Sequence, residues 1–176
     1  LRIVKNPSAE LLAERQNLDG SIVLATMEGA RPLLVEIQAL VNPTNFGYPK
    51  RTASGFDLNR LNLLVAVLEK RTKLKLADKD IYVNVVGGLK LNDPAADLAV
   101  AMAIASASAG RSLDEGAVVF GEIGLGGEVR SATNWQARIK EAKKLGFTYA
   151  IAPKVHKDKF IKGVSDMRQA LIDYLQ

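Results

Sequence analysis

Residues 91 to 107, LNDPAADLAVAMAIASA, decide how the rest of the chain is read. Asn92 or Asp93 is suited to cap a helix, and Pro94 suits its first position, where the N–H that proline lacks has no helical partner to lose. From Ala95 to about Ala109 the helix is apolar on nearly every side, and such a helix belongs in the middle of a fold.

Working outward, SIVLATME (21–28) and RPLLVEIQALV (31–41) are rich in β-branched and aliphatic residues, and Glu28-Gly29 suits the turn of a hairpin between them. Residues 42 to 55 hold two prolines, two glycines and several small polar residues, which predicts a functional loop of about a dozen residues. Asp57 is placed to cap a helix in which Leu58, Leu61, Leu64 or Val65, and Leu68 recur at helical spacing. DIYVNVVGG (80–88) reads as a strand ended by glycines. AVVFGEIGLGGEVR (117–130) reads as a strand, a turn at Gly124 to Gly127 and a return strand. Thr133 or Asn134 caps a basic helix that stops before Gly146, YAIAP is a strand, and SDMRQALIDYL closes the chain as a helix.

Before Ser21 the pattern is weaker. Pro7 and Ser8 start a short helix over Ala9 to Arg15, Asp19-Gly20 marks a turn, and residues 1–20 read as a linker leading in from elsewhere. Leu1 is not an initiator Met, so the expectation is a piece of a longer protein, with one domain over 21–176. Hairpins mixed with helices predict an α+β fold with a mixed sheet.

The chain has 176 residues, 48% of them hydrophobic, enough for one sizeable core. It has no cysteine and one histidine, so disulfides, cysteine-ligated metal sites and histidine clusters are excluded. No apolar run approaches the roughly 18–20 residues needed to span a bilayer, and a cytoplasmic location is expected. The net charge of +5 is unevenly spread. Residues 50 to 75 carry seven basic side chains against Asp57 and Glu69, and residues 138 to 162 carry eight against Glu141 and Asp158. Segregation of this kind is the footprint of a polyanion binder.

Chemistry is harder to find. Gly-Lys never occurs, so no Walker-type phosphate loop is present, and GEIGLGG leads into a strand, which favours a hairpin over a phosphate cradle. Ser106 and Ser108 lie deep in the apolar helix, where a hydroxyl back-bonds to a carbonyl one turn earlier. Ser131 and Thr133 suit capping. Asp97 is a favourable partner for the helix dipole, Glu122 and Glu128 fit ion pairs, and His156 reads as an exposed loop residue.

The element order, with VNVVGGLKLNDPAADLAVAMAIAS and FGEIGLGGEVR, RIKEAKKLGF and AIAP in sequence, resembles the proteolytic domain of Lon protease, which implies a fold like domain 2 of ribosomal protein S5. In that family a helix N-terminus supplies a serine and a later lysine serves as its base, an arrangement that needs both groups. Laid on this chain, the serine position is Ala95 and the lysine position is Gln136, so the dyad is degenerate. A peptidase with a displaced dyad is one alternative, and a pure protein-interaction scaffold is another.

EGARPLLVEIQALV, FGYPKRTASGFDLNRLNLLVAVLEKR, IYVNVVGG, PAADLAVAMAIAS and VVFGEIGLGGEVR together resemble more closely the C-terminal Lon-like domain of the bacterial RadA (Sms) family of DNA repair and recombination ATPases, from about Asn6 onward. That family also lacks the dyad. The resemblance implies a parent protein with a zinc-binding segment and a RecA-like core using ATP and magnesium, forming hexameric rings on DNA with a helicase-like role in branch migration. It implies no cofactor or metal in this domain. VRSATNW (129–135) departs from the Val-Arg-Pro-Val expected of the family.

For sequence-independent DNA contact the expected residues are Lys50 and Arg51 in the long loop, with Arg60 after it. A second patch comprises Arg138, Lys140, Lys143, Lys144, Lys154 and Lys157. Phe46 and Tyr48 beside the first patch suit base stacking if the strand is single.

Overall fold

The computed structural model describes residues 6–175. The chain runs through α1 (Pro7–Leu12), β1 (Ser21–Glu28), β2 (Arg31–Pro43), β3 (Arg51–Ser54), α2 (Leu58–Arg71), β4 (Lys79–Val85), a 3-10 turn (Pro94–Ala96), α3 (Asp97–Ala109) and β5 (Ala117–Val119). It continues through β6 (Glu122–Ile123), β7 (Val129–Arg130), α4 (Trp135–Lys144), β8 (Tyr149–Pro153), β9 (Ile161–Val164) and α5 (Met167–Tyr174). Seven strands make one sheet in the order β3-β4-β2-β1-β5-β8-β9, and β6 and β7 form a separate hairpin.

The sheet is mixed, as expected, and more parallel than two hairpins suggest. β1–β2 and β2–β4 are antiparallel, whereas β3–β4, β1–β5, β5–β8 and β8–β9 are parallel. The parallel pairs follow from crossovers: α2 carries the chain from β3 to β4, and α4 carries it from the β5 region to β8. The β1–β2 hairpin turns at Gly29-Ala30, with Glu28 opposite Arg31.

α3 lies at the centre. Every residue from Asp97 to Ser106 is buried, and the helix packs on β1 and β2 with α2 and α5 beside it. Alanines at 99, 101, 103 and 105 keep the helix thin, so sheet and helices approach it from all sides. Its end is set by Gly110 in the left-handed conformation, the C-terminal stop that glycine supplies without a Cβ clash.

Four local expectations are corrected. The first helix runs over Pro7–Leu12 with Asn6 as its cap, not over Ala9 to Arg15; the Ser8 hydroxyl is buried and accepts the N–H of Leu34, which docks α1 on β2. The 42–55 loop contracts to residues 44–50, because β2 extends to Pro43 and Arg51–Ser54 pairs with β4 as β3. The strand read over 117–123 breaks at Phe120-Gly121, leaving β5 in the main sheet and β6 in the hairpin. β9 went unread, since IKGV carries no alternation to mark it.

Candidate functional site

The N-terminus of α3 is built from three directions. Asp93 caps the 3-10 turn by accepting the Ala95 N–H at 3.0 Å. The backbone of Gly121 closes over the turn: its N–H donates to the Ala95 carbonyl at 2.8 Å, and its carbonyl accepts from Leu98 N at 2.9 Å. A Cβ at Gly121 would stand 2.9 Å from Val129 Cγ1 and 3.3 Å from Leu98, so the break between β5 and β6 sits where only glycine passes this close. Ala95 itself is 3% exposed.

Two ion pairs lock the same turn. Arg138 of α4 is wholly buried and spans Asp93 with both terminal nitrogens, Nη2 lying 3.0 Å from Oδ1 and Nη1 bonding Oδ2. Arg138 also donates to the carbonyls of Ala25 at 3.0 Å and Thr133 at 2.9 Å, and its guanidinium lies 5.5 Å from the centre of the Phe120 ring. Asp93 further accepts from the Thr26 hydroxyl and the Met27 N–H. Burial raises the Asp93 pKa, but the hydrogen bonds and charge of Arg138, with the N–H groups of Ala95 and Met27, outweigh it and hold the carboxyl below its ordinary value.

The second pair joins Arg60, near the start of α2, to Asp97. Arg60 Nε donates to Oδ1 at 2.9 Å, and Nη2 bonds Oδ2 and reaches the Ile123 carbonyl at 2.9 Å. Asp97 also accepts the Ile123 N–H at 3.0 Å. Its acidic side chain in the first turn of α3 suits the helix dipole, as expected, but its main partners are an arginine and the hairpin.

The expected site residues therefore separate. Arg138 is removed from the DNA-contact set: it is buried and saturated by Asp93 and two carbonyls. Arg60 faces Asp97, its side chain 30% exposed, and Arg51 turns inward from β3 to donate to the Leu76 carbonyl at 2.8 Å. Lys50, Lys140, Lys143, Lys144, Lys154 and Lys157 are exposed. α4 is pinned to the 154–160 segment near both of its ends. Trp135 stacks on His156 with centroids 5.0 Å apart, and Lys143 reaches Asp158 at 3.8 Å and lies over the Phe160 ring.

His156 is thus a half-buried packing residue, not a free loop side chain. Its Nε2 accepts the Ala132 N–H at 2.9 Å, and burial, then the charge of Arg138, pushes its pKa below the ordinary value. Ser106 is also recast. Its hydroxyl accepts the N–H of Gly20 at 2.8 Å and donates forward to the Arg111 carbonyl, tying the β1 approach to the end of α3 instead of back-bonding within the helix.

Gln136 is exposed on α4. Among the described residues no three His, Cys, Asp or Glu side chains converge as metal ligands would, and no helix is long and apolar enough to cross a membrane.

The inward turn of Arg138 had a signal in the sequence. Trp135, Arg138, Ile139 and Ala142 lie at helical spacing on one stripe of α4, and Arg138, Ile139 and Ala142 are its buried residues. Arg60 borders the Leu61, Leu64, Leu68 stripe of α2 in the same way.

Comparison with known proteins gives relatives over most of the chain. A protein of Halalkalibacterium halodurans named DNA repair protein RadA is 51% identical over 87% of this chain and 34% of its own length. Proteins of the same name from Aquifex aeolicus and Bacillus subtilis are each 47% identical, over 88% and 96% of this chain and 35% and 38% of their own. The chain thus spans about a third of the length of the curated relatives it matches. The sequence profile of the family described as "Subunit ChlI of Mg-chelatase" matches residues 60–156, from Arg60 of the second ion pair to His156 on Trp135. Similar along nearly its whole length to proteins named DNA repair protein RadA, the chain belongs to that ChlI family.

Proposed function

We propose that this chain is a non-proteolytic, Lon-protease-like part of a RadA-type DNA repair and recombination protein, serving as an oligomerisation scaffold and as a surface for DNA. The observation that carries this reading is the turn at 93–97. Ala95 and Gln136 stand at the dyad positions, and two arginine–aspartate pairs occupy the helix mouth that a nucleophile would need. A helix start braced in this way has structural work to do. The relatives named DNA repair protein RadA support the DNA-repair role.

In this reading the whole protein turns over ATP with magnesium in another domain, holds zinc elsewhere, assembles as a hexameric ring in the cytoplasm and drives branch migration. The DNA-facing cations are Lys140, Lys143, Lys144, Lys154 and Lys157 on the α4 face, with Lys50 on the 44–50 loop. Exposed lysines act as point charges toward phosphates and carry no sequence preference.

The test is fluorescence anisotropy of labelled single- and double-stranded DNA titrated with the chain across a salt series. Wild-type binding that weakens steeply with salt is expected, with Lys140→Ala/Lys143→Ala/Lys144→Ala flattening the log–log slope by about 2–3. Absence of binding at low salt would sink the DNA-surface reading and leave the scaffold.

A further inference from the structure

Residues 44–50 form a loop whose neck is held rigidly while its tip is bare. Asp80 on β4 clamps both sides of the neck, accepting the Thr44 hydroxyl at 2.9 Å and the Lys50 N–H at 2.8 Å. Two backbone bonds reinforce it, from Thr44 N to the Asp78 carbonyl at 2.9 Å and from Ile81 N to the Lys50 carbonyl at 2.8 Å. Beyond that neck Phe46 is 92% exposed and Tyr48 is 93% exposed, with Gly47 between them in the left-handed conformation. These are the two most exposed large hydrophobic side chains of the described residues.

Aromatic rings used to anchor a loop are packed under it. Here a carboxylate does the anchoring, and both rings are left in water, where large apolar surface marks a binding site. The chain leading away from the tip is cationic. Lys50 is exposed, and Arg51 follows at the rim of an open hollow shared with Asn62, Glu69 and Lys70. Glu69 is occupied by the N–H groups of Leu76 and Ala77, and Arg51 is turned inward onto the Leu76 carbonyl. Lys70 is the exposed cation of that hollow.

Two bare rings followed by exposed cations suit a single-stranded polynucleotide, with its stackable base faces and charged backbone. A duplex offers its backbone but keeps its base faces stacked inside. We infer that Phe46 and Tyr48 are a stacking platform for the bases of single-stranded nucleic acid, with Lys50 and Lys70 taking the adjacent phosphates. This rests on the DNA-binding reading above and narrows it to one strand form and one loop.

The experiment compares an oligothymidine of about 12 nucleotides with an abasic strand of equal length and charge, by anisotropy, for wild type, Phe46→Ala/Tyr48→Ala and Phe46→Leu/Tyr48→Leu. Wild type should bind the thymidine strand at least about tenfold more tightly than the abasic one, and both double variants should erase that preference while keeping the salt slope. Equal affinity of wild type for the two strands, with a steep salt slope, overturns the stacking platform and leaves the electrostatic reading standing. No binding to either strand overturns both. If the alanine variant changes the sedimentation of the chain but retains the thymidine preference, the rings are a contact between copies and the proposal is also overturned.

Discussion

Arg138 and Asp93 form a buried ion pair that joins α4 to the N-terminal turn of α3. The pair sits two residues from Ala95 and two from Gln136 and braces one element against the other like a girder.

Breaking the girder is costly because the partner is left charged in a dry place. Arg138→Met should lower stability by about 3–5 kcal/mol in chemical denaturation. Adding Asp93→Asn should recover part of the loss, since the stranded carboxylate is then neutral while Ala95 N keeps an acceptor. A double variant less stable than the single would show that Asp93 matters through contacts other than Arg138.

The same pair sets the acid response. The folded-state pKa of Asp93 lies below its unfolded value of about 3.9, so the unfolded chain binds the proton first as pH falls. Stability from this group is complete above that value and drains away as pH drops through the lower folded one. Acid titration followed by circular dichroism should give Arg138→Met a higher unfolding midpoint than wild type.

On the Lon-like reading proposed above, installing a serine at 95 and a lysine at 136 should create no peptidase. A lysine placed at the exposed position 136 keeps its ordinary proton, and a serine at buried position 95 lies beneath the Gly121 backbone. Ala95→Ser/Gln136→Lys is expected to show no labelling by a fluorophosphonate and no casein cleavage. Stoichiometric labelling would mean that the mouth opens in solution.

His156 is the single histidine of the chain, so its ring resonances need no assignment. Its proton affinity is depressed by burial and by Arg138 while Nε2 accepts from Ala132. NMR titration should place its pKa below about 6.5. Because the folded value is the lower one, the stability it contributes is present above about pH 6.5 and lost as pH falls toward the folded value. Trp135 fluorescence should report the change, and a pKa at or above 6.5 would contradict the stacked, accepting geometry.

Ser106→Ala removes the acceptor for the buried Gly20 N–H and the donor to Arg111. The expected loss is about 1–3 kcal/mol by thermal or urea unfolding. A neutral effect would mean that water replaces the hydroxyl.

Local chemistry made much of this fold legible in the sequence. Asp93-Pro94 announces a helix start, the apolar run behind it requires central burial, Asp57 is a cap in place, and Gly29 and the Gly124–Gly127 run turn two hairpins. Each of these depends on residues within a few positions of one another. What the tertiary structure alone decided is the fate of the charges. Arg51, Arg60 and Arg138 lie in basic runs with their neighbouring lysines, yet all three turn inward to acceptors that are distant in sequence: Leu76, Asp97 and Asp93. Asp80, 30 residues beyond Lys50, leaves Phe46 and Tyr48 in the open. Composition counts charges along the chain, but a buried guanidinium is stable only where folding brings a carboxylate or carbonyl to meet it, and that pairing exists only in three dimensions.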